Sequence, residues 1–96
     1  MLRHVVIIKF KEEVTNNQIN DLTKRLRALP KYIKEIKSYE IGKDVLHLPR
    51  SYDYAVVEKF SNVEEQEKYQ RHSEHLKVIE FIKPMCANII SVDYEI

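Results

Sequence analysis

LRHVVIIKF, residues 2–10, reads as a β-strand. Branched and aromatic side chains dominate it, as suits a pleated surface. Counting by two, His4 shares a face with Val6, Ile8 and Phe10, while Arg3, Val5, Ile7 and Lys9 point the other way. The centre, Val5 to Ile8, is apolar on both sides, so burial of both faces is expected there.

The next segment changes period. Thr15 is a good helix N-cap, and Gln18 three residues on completes a capping box. Ile19, Leu22, Leu26 and Leu29 follow at helical spacing and mark one buried stripe. Pro30 is expected to stop this helix near Leu29. Ile36 to Lys43 reads as a second strand. Gly42, the only glycine in the chain, suggests a bulge or a close backbone approach. Asp44 to Ser51 reads as a loop and Tyr52 to Phe60 as a third strand, with Tyr54, Val56, Glu58 and Phe60 on one face and Ala55 and Val57 on the other. Ser61 or Asn62 opens a second helical region, and Glu64 and Glu65 suit its first turn. A break is expected from Arg71 to Glu74, with Ser73 capping a new helical turn. Leu76, Ile79, Ile82 and Cys86 form the expected buried stripe beyond it, widened by Val78, Phe81 and Met85, and Pro84 kinks or ends the helix. Ile89 to Ile96 reads as the last strand, with Ile90, Val92, Tyr94 and Ile96 on one face.

The order is βαββαβ, the ferredoxin-like α+β arrangement: an antiparallel four-stranded sheet with two helices on one face. Residues 1–96 make one domain, without repeat, linker or low-complexity segment. Helices cover only one face of such a sheet, yet both faces here carry large apolar side chains. Packing two sheets face to face in a homodimer removes the exposed patch.

Composition narrows the function classes. The chain has 96 residues, 44% hydrophobic and 32% charged, with a net charge of +1. That balance describes a globular domain without the field that recruits nucleic acid or anionic lipid. The longest apolar run, Val5 to Ile8, is far too short for a membrane span. The single cysteine, Cys86, cannot close an internal disulfide, and no signal-peptide pattern opens the chain, so the cytoplasm is the expected compartment.

Several short motifs, in order, resemble the stress-responsive A/B barrel domain (Dabb) family. They are Arg3-His4-Val5-Val6, Lys9-Phe10-Lys11, Gly42, Tyr52-Asp53, Tyr69 with His72 and His75, and Val92-Asp93-Tyr94. The resemblance covers essentially the whole chain. It implies a dimeric α+β barrel in which two sheets close around a central space. The family includes a plant enzyme that cyclises a linear polyketide, stress-associated plant proteins and many bacterial members of undescribed activity, so the resemblance leaves the function open. Where many members carry a proline after the first histidine of the His72 motif, this chain has Ser73, followed by Glu74.

By that resemblance the catalytic candidates are His75 and Tyr69, with His4 assisting from the first strand. Histidine titrates near operating pH and can take an acidic C–H proton between two carbonyls. A tyrosine hydroxyl can donate to the enolate oxygen that results. The alternative for each is structural: His75 as a cap or buried hydrogen-bond partner, Tyr69 as core. The expected ligand is a small apolar, aromatic or carbonyl compound held in a pocket between sheet and helices.

Other classes fit less well. His72 and His75 are three apart on a helix, but no further ligand stands at a metal-site spacing, so no metal and no cofactor are expected. An RNA-recognition module shares the strand order, but Val56 stands where a stacking aromatic is needed and Asp53 where the motif has glycine. A non-catalytic stress-associated dimer, and a cofactor-free monooxygenase-like or haem-binding barrel, remain as alternatives. Cys86 reads as core packing.

Overall fold

A computed structural model describes residues Met1–Ile96. Strand β1 spans Leu2–Phe10, helix α1 Asn16–Tyr32, strands β2 and β3 Ser38–Lys43 and Tyr54–Phe60, helices α2 and α3 Val63–Arg71 and Ser73–Ile82, and strand β4 Cys86–Glu95. A short 3₁₀ turn, Lys83–Met85, joins α3 to β4. The four strands form one antiparallel sheet in the order β2-β3-β1-β4. This is the ferredoxin-like α+β architecture expected from the element order, with the second helical region divided into α2 and α3.

The start of α1 is set locally. The Gln18 amide donates to the Thr15 hydroxyl at 3.2 Å, and the Thr15 amide donates to the Gln18 side-chain oxygen at 2.8 Å. Leu22, Leu26 and Leu29 are buried and Ile19 half-buried. Thr23 and Tyr54 join hydroxyls at 2.6 Å, tying the helix to β3. Contrary to expectation, α1 does not stop before Pro30 but continues to Tyr32. Pro30 lies in the last turn, where only one intrahelical donor is lost. The Ile33 amide closes the ladder onto the Leu29 carbonyl at 2.9 Å, and Leu29 and Ile33 are both fully buried. Packing of these two side chains overrides the local preference of the residue before proline.

The other boundaries shift for similar reasons. Strand β2 begins at Ser38, because the Ile36 amide turns back to the Ile33 carbonyl. Strand β3 begins at Tyr54, and β4 begins at Cys86, three residues before the expected start. Cys86 is therefore a strand residue and not part of a helical stripe. The inward residues of α3 are Val78 and Ile82, with Ile79 half-buried, whereas Leu76 is about half exposed. Gly42 has no positive φ, and a Cβ there would meet nothing within 4 Å. Neither a bulge nor a close backbone approach explains it.

The core lies between the sheet and the helices. Ile8 and Phe10 of β1, Tyr54, Val56 and Phe60 of β3, and the α1 leucines are its main parts. The opposite sheet face is apolar at its centre. There Ile7 stands beside Ala55 and Ile90, and Val5 beside Val57 and Val92. On β4, Ile90, Val92 and Tyr94 are about half exposed. No helix is long and apolar enough to cross a membrane.

Phe60 is fully buried and touches the ring of Tyr69, 5.0 Å away between centroids. Phe60→Ala should lower the free energy of unfolding by about 3–5 kcal/mol in a urea titration. A loss below about 1 kcal/mol would mean that this position is not core.

Candidate functional site

A cavity of about 410 Å³ opens between the inner face of the sheet and helices α2 and α3. Its walls are mostly apolar, as in small-molecule sites generally. The polar groups enter from different elements: His4 from β1, Glu58 from β3, Tyr69 from α2 and His75 from the first turn of α3. All three side chains nominated from the sequence therefore line one space. The Tyr69 and His75 rings are 4.2 Å apart between centroids, and His4 approaches Tyr69 edge-on at 6.5 Å.

The local chain explains the placement. Asn62 caps α2 by accepting the Glu65 amide at 2.9 Å. At the junction with α3 the cap is His72 rather than the expected Ser73. The His72 amide donates to the Tyr69 carbonyl, and its Nδ1 accepts the Glu74 amide at 3.1 Å. One residue thus closes α2 and opens α3, which holds Tyr69 and His75 side by side. His72 spends its Nδ1 on this cap, and no group of three or more His, Cys, Asp or Glu side chains is arranged to hold a metal ion.

His75 is held by its Nδ1, which lies 3.2 Å from the Gln70 carbonyl oxygen. A carbonyl can only accept, so Nδ1 carries the proton and Nε2 keeps a free lone pair. Burial pushes the His75 pKa down against the pull of the Gln70 carbonyl, and the neighbouring His4 and His72 lower it further. The ring is thus kept as a neutral base. His4 is buried, and its Nδ1 pairs with the carboxylate of Asp93, its direct neighbour on β4. A carboxylate at Nδ1 fixes the tautomer and leaves Nε2 as the basic nitrogen.

Two members of this site are not among the residues nominated from the sequence. Asp93 lies within the closing Val92-Asp93-Tyr94 motif, but its role as partner of His4 depends on the β1–β4 register. Glu58 is placed by its pattern on the inner face of its strand and no more. It is 1% exposed and accepts the Tyr69 hydroxyl on Oε1 at 3.0 Å, while Oε2 is buried without a partner. Burial pushes its pKa up from 4.5 to about 8, although the Tyr69 hydrogen bond opposes this, and the charge of Asp93 adds to the rise. A lone carboxyl among apolar neighbours on a strand face was the signal available. Burial, reinforced by Glu58, also pushes the Tyr39 and Tyr69 hydroxyls well above the ordinary phenolic range. Cys86 is half-buried, and burial raises its thiol pKa despite nearby Lys11, which does not favour a reactive thiolate.

A four-stranded antiparallel sheet backed by helices, with histidines and a tyrosine around one cavity, defines a ferredoxin-like α+β protein with a ligand-sized pocket. The chain belongs to the stress-responsive A/B barrel domain family, whose sequence model matches residues 2–96. It is 25% identical over 96 residues to a stress-response A/B barrel domain-containing protein of Arabidopsis thaliana, a match covering 98% of this chain and 88% of that protein. It is 26% identical over 95 residues to the olivetolic acid cyclase of Cannabis sativa, covering 97% of this chain and 94% of the cyclase. A second, longer stress-response A/B barrel domain-containing protein of Arabidopsis thaliana is 24% identical over 98 residues, a match that takes in 98% of this chain but 36% of the relative. Among solved structures, a dimeric ferredoxin-like protein of unknown function from Thermobifida fusca superposes with a TM-score of 0.91 at 29% identity, covering 99% of this chain and 90% of that one.

The raised pKa of Glu58 has a consequence for stability. Between pH 4.5 and about 8 the folded chain holds a proton that the unfolded chain has lost, so stability falls as pH rises through that window. Glu58→Gln is nearly isosteric and cannot ionise. Its stability relative to wild type should grow across this window by about 2–4 kcal/mol, read from urea titrations at several pH values. A constant difference would mean that Glu58 ionises as an ordinary carboxyl.

Proposed function

We propose that the protein acts as a homodimer and binds a small, partly apolar carbonyl or phenolic compound in the cavity beside His4, Tyr69 and His75. His75 and Tyr69 carry acid–base chemistry of the cyclase or lyase type, assisted by His4. The observation that carries this reading is the contact of the Tyr69 and His75 rings at an apolar cavity, with the imidazole kept neutral. The similarity to a cyclase over nearly the whole of both chains is consistent with it.

The chemistry follows from the free Nε2 of His75. It removes a proton from a carbon between two carbonyls, and the C–H electron pair passes into an enolate. The enolate oxygen is then stabilised by a hydrogen bond from a cavity donor such as the Tyr69 hydroxyl. Apolar walls keep water from competing for that oxygen. The homodimer is supported by the exposed apolar sheet face around Val5, Ile7, Val92 and Tyr94, and by the dimeric description of the Thermobifida fusca structure. Burying that face against a second copy would remove apolar surface from water at about 25 cal/mol per Å².

Both parts are testable. Light scattering at micromolar concentration should give twice the mass of the chain, and Val92→Lys should shift it to the monomer. A wild-type monomer overturns the dimer. For the chemistry, 1-phenyl-1,3-butanedione is a suitable probe, because exchange of its central C–H with deuterium oxide reports proton removal directly. Wild type should accelerate this exchange, and His75→Ala should reduce the acceleration by about 10²–10⁴-fold. Binding of the probe without acceleration would leave a binding protein, and equal rates in the two proteins would remove His75 from the proposal.

A further inference from the structure

Tyr69 presents a difficulty for any ligand that needs a proton from it. Its hydroxyl has one hydrogen, and that hydrogen is already given to Glu58 Oε1 at 3.0 Å. A ligand carbonyl has only lone pairs to offer. As the bond stands, the Tyr69 oxygen can only accept, which suits a hydroxyl and repels a carbonyl. The direction of the bond can be reversed in one circumstance only: Glu58 must own a proton. A carboxylic acid protonated on Oε1 donates to the Tyr69 oxygen and frees the Tyr69 hydrogen for a ligand, in competition with the neighbouring Tyr39 hydroxyl. A carboxylate has no proton to give and holds the Tyr69 hydrogen permanently.

We propose that Glu58 is a positioning residue that decides whether the Tyr69 hydroxyl offers the ligand a hydrogen or a lone pair. The inference rests on the pocket reading above and specifies the ligand class by its hydrogen-bonding sense. Geometry supports it in three ways. Glu58 is buried and bonds the hydroxyl of the tyrosine whose ring packs on His75. Its second oxygen is buried without a partner, an arrangement costly for a carboxylate and tolerable for a neutral acid. No lysine or arginine acts on it to hold the charged form. The groups that face it are His4 on β1 and Tyr39 on β2, directly opposite in register, Asp93 beyond His4 on β4, Tyr69 on α2, and His75 on α3 across the cavity. Helix α1 turns Leu22, Leu26 and Leu29 inward and keeps its charged side chains exposed. Asp93 favours the neutral acid, as does burial. Tyr39 and Tyr69 do not compete for the proton, because burial and Glu58 push both hydroxyls up.

The pocket should then accept carbonyl ligands while Glu58 is neutral and discriminate against them once it ionises. Two probes separate the cases: butyrophenone, which only accepts, and 4-propylphenol, which can also donate. Butyrophenone should bind the intact protein about tenfold more weakly at about pH 9 than at about pH 7, the size of one hydrogen bond lost to the site. 4-Propylphenol should change little. In Glu58→Gln the butyrophenone affinity should become independent of pH, since a neutral amide can donate or accept at either pH. A fall in butyrophenone affinity of the same size in Glu58→Gln, or none in wild type, overturns the inference.

A measurement without ligand keeps the two proposals apart. The ¹³Cζ resonance of Tyr69 in wild type should step together with the titration of the Glu58 carboxyl carbon, as the hydroxyl is captured by the carboxylate. If neither probe binds but the coupled step is present, the pocket reading fails while the Glu58–Tyr69 switch stands. If the Tyr69 resonance ignores the Glu58 titration, the switch fails whatever the probes do, and this holds even if Glu58→Gln does not fold.

Discussion

The antiparallel ladder on both sides of β1 holds the site together. His4 stands opposite Glu58 on one neighbouring strand and opposite Asp93 on the other. No loop positions these three groups. Their separation is set by strand spacing, and their common face by the two-residue period. A slip of one residue between β1 and β4 would turn Asp93 to the far side and leave His4 without its carboxylate. The same ladder places Val5 and Ile7 on the opposite face, next to Val92 and Ile90. Strand β1 therefore supplies both His4, at the middle of the polar floor, and the centre of the apolar outer surface.

The helices add the other half of the cavity through a single junction. Because His72 ends α2 and begins α3, Tyr69 and His75 are brought together by one short turn. The electrostatics then follow from depth. Burial drives Glu58 toward its neutral acid and His75 toward its neutral base. Opposite displacement of an acid and a base in one pocket is how a site keeps both a proton donor and a proton acceptor available near neutral pH. An apolar cavity with such a pair suits a neutral ligand whose charge develops only during reaction.

The parts of this architecture that depend on local rules are legible in the sequence. Period two places His4 on the inner face, the Thr15–Gln18 box fixes the start of α1, and the stripe through Leu22, Leu26 and Leu29 names its buried side. The misses involve tertiary packing. Pro30 reads as a stop, but Leu29 and Ile33 are buried deeply enough to carry the helix past it. Leu76 reads as core on the three-residue spacing with Ile79 and Ile82, whereas the buried face of α3 runs through Val78 and Ile82, four residues apart. Glu58 and Asp93 cannot be paired with Tyr69 and His4 from sequence, because each partner lies on another element and the pairing exists only after the sheet has formed. Gly42 invites a backbone explanation that its ordinary φ and empty surroundings do not support.

The pairing of His4 with Asp93 also has a meaning in time. The two residues are 89 positions apart in the chain, so the central strand of the sheet waits for β4. A chain emerging from the ribosome can cap α1 and pair β2 with β3 early, because those contacts are local. It cannot complete the β1–β4 ladder until β4 has left the exit tunnel. Until then one edge of β1, with Val5 and Ile7 beside it, stays open to other strands. Closing so long a loop is entropically costly and slow relative to local contacts. The vulnerable interval for this fold is therefore the one before β4 emerges, when a half-paired central strand is most exposed to wrong partners.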